Sequence, residues 1–485
     1  MTGLRDLPVA VIGAGPVGLA AAAHLVERGI RPLVFEKGRS VGAAVAAWSH
    51  VRVFTPWSLN VDAAAARLLA ATGWPAPDPD ETPTGAAIVR RYLEPLARVE
   101  AIAAGLHLGA TVMGVTRKGF DKMTSPGRDA APFVLHWRDA AGRTHCTEAR
   151  SIIDASGVWS SPNPMGVDGM PVPGEQDATV AAAIASGIPD VLEAERGHYA
   201  GRRVLVVGAG HSAINVVLDL LRLQAEAPET RVVWALRRER LDLIAGGGLD
   251  DKLAERGALG LAAKAAIEAR RLELLAPFAA EWIQARPDGV RIEARHGERS
   301  VTLDVDRIVV ATGFRPDLRL LAELRVALDP AVEAPPALAP LIDPNLHSCG
   351  TVPPHGAAEL AQPEPGLYIV GAKSYGRAPT FLMATGYEQV RSVVAAIAGD
   401  EKAARELHLV LPETGVCSAV PGIADAACCG DPVPAAEGAD CRADRDAKAA
   451  AMDGCGCSAA PTPAPAVSGC CGGAKTRPDA DLVEA

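Results

Sequence analysis

The sequence predicts an α/β fold with two strand–glycine–helix lobes, a small β-meander and a disordered C-terminal tail. Three observations predict it. The run VAVIGAGPVGLAAAAHLVERGIRPLVFE at Val9–Glu36 sets an apolar strand, three glycines, a helix and a second strand in immediate succession. The run RVLVVGAGHSAINVVLDLL from Arg203 repeats the arrangement. Beyond Pro412 the composition turns to Ala, Pro, Gly, Asp and Cys with no sustained apolar period, which cannot support a packed core.

In the first unit, Val9–Ile12 has the length and apolar content of a buried parallel strand. Gly13, Gly15 and Gly18 follow at once. That spacing lets a backbone turn tightly, approach a pyrophosphate without a Cβ in the way, and pack a helix on the strand it has left. The helix is predicted over Pro16–Arg28, its free N–H groups and positive dipole end facing the phosphates. A second strand, Arg31–Phe35, ends on Glu36, which lies 23 positions after Gly13 and is placed to accept hydrogen bonds from a ribose 2′-hydroxyl. Val9–Val26 is uncharged, yet three glycines, Pro16 and His24 interrupt it as a membrane span, and no basic segment with a cleavage site precedes it as in a signal peptide.

At 485 residues the chain has room for two or three domains, and its formal charge of −10 excludes a general nucleic-acid or membrane-surface binder, which needs a basic face. The expected partner is a small-molecule substrate, with neither nucleic acid nor membrane, the expected compartment cytoplasmic, and a homodimer is compatible with the sequence. Cys146 and Cys349 stand alone in the first 410 residues and the other eight cysteines lie between Cys417 and Cys471, unlike a secreted disulfide framework.

After Glu36 come Lys37–Trp48 and HVRVFTPWSLNVD, where Arg39, Trp48 and Thr55 are candidates to line an extended cofactor; Trp48 and Trp57 read equally well as ordinary packing. Ile88, Tyr92, Leu96 and Val99 share one face of a helix predicted over Thr84–Glu100. Leu106–Leu108, Thr111–Thr116, Phe133–Trp137 and His145–Glu148 read as the strands of the meander. The next strand runs into Ala155-Ser156-Gly157, small residues that bring backbone against a ligand.

In the second unit Gly208 and Gly210 keep the spacing and Ala213 replaces the third glycine. Its following strand, Arg231–Leu236, ends on Arg237 and Arg238 instead of an acid, which suits the 2′-phosphate of NADP, although a solvated basic patch would look the same. Further on are a Gly246–Gly248 loop, an alanine-rich helical stretch, strands near Val290–Arg295 and Val301–Leu303, an apolar strand Arg307–Val310 entering ATGFRPD, and a proline-rich segment holding HSCG at His347–Gly350. A strand, an irregular segment and a closing amphipathic helix complete the folded part near Leu411.

GAGPVG at 13–18 and GAGHSA at 208–213, together with DASG and ATGFRPD, resemble the two-dinucleotide-binding-domain flavoproteins, which include the flavin-containing monooxygenases and the thioredoxin-reductase-like enzymes. The resemblance covers about residues 7–400 and implies two Rossmann-like domains: an FAD domain in two parts, 1–165 and 306–411, an inserted NADPH domain at 166–305, and a Cys-rich tail at 412–485. By position it gives FAD to Gly13, Ala14, Gly15, Pro16, Val17, Gly18, Glu36, Lys37, Arg39, Trp48, Gly313, Gly371, Thr385 and Gly386. NADPH falls to Gly208, Gly210, His211, Ser212, Ala213, Arg237 and Arg238. DASGVWSSPNP and YAGRRVLVVGAGHSA look like the monooxygenase branch, but that branch's FxGxxxH run is missing where this chain has GIPDVLEAERGHYAGRR. HSCGTVPPHG, KSYGRAPTFLMATGYEQV and the Cys-rich end further resemble flavoproteins of bacterial arsenic-resistance gene clusters.

The implied chemistry is reduction of FAD by NADPH, followed by oxygen transfer to a soft nucleophile such as sulfur, nitrogen or trivalent arsenic, or by electron export through a dithiol. No CxxC or CxxxxC occurs in the chain, so a disulfide reductase would need the tail thiols. A slow-turnover FAD/NADPH-binding or metalloid-sensing protein is the reading outside catalysis. Cys349, beside His347 and His355, is the candidate catalytic thiol, an imidazolium lowering its pKa; a buried small hydrophobe near a turn is the plainer reading. The tail pairs Cys428-Cys429, Cys455-Cys457 and Cys470-Cys471 are close enough for two sulfurs to meet one soft ion, with metalloid capture and a ligand-free tail both open.

Overall fold

The computed structural model describes residues 4–239, 254–346, 352–379 and 381–409. The Gly246–Gly248 loop, His347, Cys349 and all of the tail, including Cys428, Cys429, Cys455, Cys457, Cys470 and Cys471, lie outside the described residues.

The first lobe is a five-stranded parallel sheet of β1 (Val9–Ile12), β2 (Pro32–Glu36), β3 (Leu106–Leu108), β7 (Ser151–Asp154) and β16 (Leu367–Ile369), in the order β16-β7-β1-β2-β3. Strand β1 is central, with Ile12 opposite Phe35 on one side and Asp154 on the other, so three strand ends open at one level. Its four residues are all buried because both faces are covered. Val9 and Val11 point into a core shared with the helices α1 (Pro16–Glu27) and α4 (Met383–Ile397), while Ala10 and Ile12 join Val115, Phe133 and Leu135 of the meander. Ala20–Ala23 of α1 are fully buried, and their small size lets α4 and the sheet close on both sides of the helix.

The meander is β4 (Thr111–Arg117), β5 (Phe133–Arg138) and β6 (Thr144–Ala149), antiparallel throughout. Leu106–Leu108, expected within it, pairs in parallel with β2 instead, because Val34 N–H donates to Gly105 O and leads the chain alongside β2. The helix expected over Thr84–Glu100 is capped by Thr84, turns through a π segment at Val89–Leu93 and ends at Ala97. Pro95 has no N–H to give to Arg91 O, and the Trp74 indole donates to that carbonyl at 2.7 Å.

The second lobe repeats the plan with β8 (Ile184–Ser186), β9 (Arg203–Val207), β10 (Arg231–Ala235), β11 (Glu273–Leu275) and β15 (Arg307–Val310), ordered β11-β10-β9-β15-β8 and all parallel. Helices α2 (His211–Glu226) and α3 (Ala254–Glu268) supply one face through Ile214, Val217 and Ala263. A second meander, β12 (Phe278–Arg286), β13 (Gly289–His296) and β14 (Arg299–Val305), covers the other face through Phe278, Ile292 and Leu303. The sequence shows β13 and β14 but not β12.

Strand β15 lies between β9 and β8, so Arg307–Val310 belongs to the second sheet and corrects the expectation that the first lobe resumes at residue 306. The chain returns through Thr312–Arg315, which runs beside the outgoing segment at 161–164. Asn163 N–H donates to Gly313 O at 2.9 Å, Arg315 N–H to Ser161 O at 2.9 Å, and Asn163 Nδ2 to Thr312 O at 3.1 Å. The two crossings thus form one short antiparallel pair.

Candidate functional site

At the first turn, Gly13 has φ +101 and an added Cβ would sit 2.6 Å from Ala155 O; at Gly18 it would sit 2.0 Å from Gly13 O. The chain's own packing therefore requires both glycines. Gly15 is different: its φ of −79 suits any residue and nothing lies within 4 Å of an added Cβ. The missing Cβ leaves an open space directly at the N-terminus of α1, a place for an approaching anion. The second turn repeats this division. Gly208 has φ +138 and no room beside Ala311 O, whereas Gly210, φ −82, faces open space before α2. His211 and Ser212 begin α2, and Ala213 is fully buried at the third position.

Glu36 closes the first turn. Its Oε2 accepts from Ala14 N–H at 2.8 Å and its Oε1 from Gly38 N–H at 2.7 Å. Glu36 is 8 % exposed, and each carboxylate oxygen has a second lone pair beyond the one these bonds use. Lys37 and Arg39 are exposed just beyond it. Trp48 is half-buried with its ring against Gly85, and Thr55 gives its hydroxyl to Asn60 Oδ1 at 3.0 Å, so ordinary packing accounts for both.

A buried ion pair that sequence reading missed stands behind this turn. Lys373 Nζ donates to Asp154 Oδ2 at 2.7 Å and to Ser156 Oγ at 3.0 Å, with Lys373 2 % and Asp154 0 % exposed. Both residues lie in runs noted above, DASG and KSYG, but neither run alone places a lysine under the strand ends. Gly371, Thr385 and Gly386 gather on the same side: a Cβ at Gly386 would sit 2.5 Å from Val17 Cγ2, and Gly371 N–H donates to Gln389 Oε1 at 2.7 Å. The tight fit of α4 on Val17 at the start of α1 accounts for Gly386, while Thr385 is 3 % exposed in the first turn of α4.

His355 does not supply the charge expected for Cys349. It is 1 % exposed, its Nδ1 lies 3.1 Å from Pro353 O and its Nε2 2.9 Å from Gln389 Nε2. With Gln389 Oε1 committed to Gly371 N–H, the amide must donate to Nε2, leaving the proton on Nδ1. Burial pushes this imidazole down, against the Pro353 carbonyl, so it is neutral near pH 7.

In the second lobe Trp234 Nε1 donates to Gly208 O at 2.8 Å, holding the turn open over a cavity of about 290 Å³. The cavity is lined by Gly208 and Ala209 of the turn, Arg237 after β10, Asn163 and Thr312 of the crossings, and Arg315 and Arg377. It thus brings together the predicted Gly208 and Arg237 and adds two arginines that the sequence does not place there. Arg238 follows Arg237 and is exposed, and Gly313 sits on the paired crossings. The Phe54 ring of the first lobe packs on His211 at the head of α2, 5.5 Å between centroids. Among the described residues no cluster of three or more His, Cys, Asp or Glu side chains forms a metal site, and no helix is long and apolar enough to cross a membrane.

A family model described as pyridine nucleotide-disulphide oxidoreductase matches residues 7–334. The chain is 30% identical over 214 residues to the indole-3-pyruvate monooxygenase YUCCA1 of Oryza sativa subsp. japonica, covering 44% of each chain. A 40-residue stretch is 52% identical to a thiamine thiazole synthase of Pyrobaculum calidifontis, covering 8% of this chain and 15% of that one. The chain therefore spans less than half the length of the curated relatives it matches. Among solved structures, a bacillithiol disulfide reductase from Bacillus cereus superposes with a TM-score of 0.58 at 19% identity, covering 81% of this chain and 99% of that one. The FAD-bound cadaverine monooxygenase of desferrioxamine biosynthesis from Erwinia amylovora gives 0.58 at 13% identity, covering 85% and 99%. These likenesses establish a shared fold.

Proposed function

The chain belongs to the pyridine nucleotide-disulphide oxidoreductase family, and on that premise we propose that it is an FAD-dependent, NADPH-consuming oxidoreductase of monooxygenase-like type. The observation that carries the reading is the pair of middle glycines, Gly15 and Gly210. Neither is needed by backbone conformation or by the chain's own packing, and each opens a space at a helix N-terminus. Two such spaces, on two lobes joined by two paired crossings, fit two dinucleotides.

On the first lobe the free N–H groups of α1 would hold the FAD pyrophosphate and Glu36 the adenosine ribose, while the Glu36 bonds to Ala14 and Gly38 keep the turn in shape before any ligand arrives. On the second, α2 would hold the NADPH pyrophosphate, and Arg237 and Arg238 its 2′-phosphate. When bound, FAD supplies the redox chemistry, accepting hydride from the nicotinamide. The protein's part is orientation and exclusion of water: Asp154 and Lys373 pair beneath the first turn, and Phe54, packed on His211, sets an apolar ring at the head of α2.

For the substrate we propose a small soft nucleophile, with a trivalent arsenical as the first to test, on the strength of the HSCG-containing segment and the Cys-rich end. The absence of CxxC and CxxxxC in the chain favours this over the dithiol-reductase reading. The test is steady-state NADPH oxidation with and without a trivalent arsenical, using NADPH and NADH in parallel. The expected result is stimulation by the arsenical and preference for NADPH. Changing Arg237 and Arg238 together to Gln is expected to raise KM for NADPH about 10- to 100-fold and leave that for NADH nearly unchanged, since each guanidinium–phosphate contact is charge-assisted. Equal use of the two donors by the unaltered protein would refute the assignment of the two arginines.

A further inference from the structure

The cavity at the second glycine turn takes part of its wall from the first lobe. Arg377 belongs to the returning segment after β16, yet it lines the same space as Gly208, Ala209 and Arg237. Its root is fixed. Arg377 N–H donates to Val332 O at 2.7 Å, and the preceding Gly376, φ +57, has no room for a Cβ, which would fall 2.0 Å from that same oxygen. The guanidinium pairs with Glu333 at 2.9 Å, on a residue itself held at φ 58. That pair occupies one of its nitrogens and leaves other N–H donors for a ligand.

Among the described residues three arginines line this cavity and no Asp or Glu does. They have different tasks. Arg315 donates from Nε to Asn163 Oδ1 at 2.8 Å and from a terminal nitrogen to Gly169 O at 3.1 Å, so it fastens the paired crossings. Arg237 follows β10, where the adenosine end of a dinucleotide lies. Arg377 approaches from the first lobe. A dinucleotide seated on the second turn must send its nicotinamide toward that lobe, so a first-lobe residue here meets the pyrophosphate link and not the 2′-phosphate.

We propose that Arg377 is a phosphate ligand supplied by the first lobe to the pyrophosphate of a nicotinamide dinucleotide bound on the second, so that binding draws the two lobes together. The proposal rests on the nicotinamide-dinucleotide reading above. It assigns Arg377 a binding and positioning role, with Glu333 aiming its guanidinium.

The test is calorimetric titration of the full-length, FAD-loaded protein with NADP⁺, NAD⁺ and adenosine 2′-monophosphate, which lacks the pyrophosphate. Arg377→Gln is expected to raise the dissociation constants for NADP⁺ and NAD⁺ by a common factor of about 10, as for one lost charge-assisted contact, and to leave adenosine 2′-monophosphate unchanged. Arg377→Lys should recover part of the loss. Arg237→Gln should do the converse, weakening NADP⁺ and adenosine 2′-monophosphate and sparing NAD⁺. Unchanged affinity for both dinucleotides in Arg377→Gln, or a loss confined to NADP⁺, would overturn the proposal while leaving the nicotinamide reading in place. Failure of the unaltered protein to bind either dinucleotide would overturn both, and shows before any substitution is made.

Discussion

Gly15→Val is expected to fold and to be colourless. Position 15 has an ordinary φ of −79 and nothing of the protein within 4 Å of an added Cβ, so valine costs the apo chain little beyond its weak helix-entry preference. The added side chain instead fills the space at the head of α1 where the pyrophosphate of FAD would lie. Purified variant should lack the flavin's visible absorbance, and its thermal midpoint should equal that of the unaltered protein stripped of FAD. Gly13→Val is the contrasting case: φ +101 and Ala155 O at 2.6 Å forbid the side chain outright, so that variant should be lost to misfolding. A yellow Gly15→Val protein with full FAD content would remove the first lobe from the account.

Glu364→Ala is expected to fold but to lose much of the protein's stability. Glu364 is 1 % exposed; its Oε1 accepts from Arg117 Nε at 2.8 Å and its Oε2 from a terminal nitrogen of Arg128 at 2.9 Å and from Arg325 N–H at 3.0 Å. Arg117 also stacks on Phe133, 3.7 Å from the ring centroid. One carboxylate thus ties the first meander to two later segments of the chain. Removing it leaves two guanidinium groups, 2 % and 0 % exposed, without their counter-charge, a loss of about 3–5 kcal/mol in urea unfolding. A loss below about 1 kcal/mol would show that water replaces the carboxylate. Acid should reveal the same bond. Burial pushes the Glu364 carboxyl up, but hydrogen bonds from Arg128 and Arg117 outweigh it and hold the group below its ordinary value of 4.5. The stability it gives is therefore present above about pH 4.5 and is lost as pH falls through the lower folded-state pKa. Glu364→Ala should lack this part of the acid dependence.

Both glycine units were legible in the sequence because their strands, turns and helices are specified by neighbours within a few residues. Val9–Ile12, Arg203–Val207 and Arg307–Val310 formed as strands where expected. What sequence could not assign was membership between distant elements. Nothing local in Arg307–Val310 says that its partners are β9 and β8, or that Leu106–Leu108 pairs with β2 instead of the meander. The site divides the same way. Glu36 ends β2 and Arg237 stands just past β10, so their positions at the strand ends could be read from the local sequence. Lys373 reaches Asp154 across 219 positions, and Arg377 lines the second turn's cavity from a segment of the first lobe far along the chain. The π turn at Val89–Leu93 and the neutral tautomer of His355 depend on partners elsewhere, Arg91 O with Trp74 and Nε2 with Gln389, which periodicity does not show.

If the first lobe holds FAD and the second NADPH, the two must come within hydride reach of each other. Mixing the purified yellow protein with NADPH in the absence of oxygen tests it most directly. Full bleaching of the visible flavin absorbance is expected, faster with NADPH than with NADH, slowed in Arg237→Gln and abolished in Gly210→Val, which should still carry FAD. A flavin that stays oxidised at saturating NADPH would contradict it.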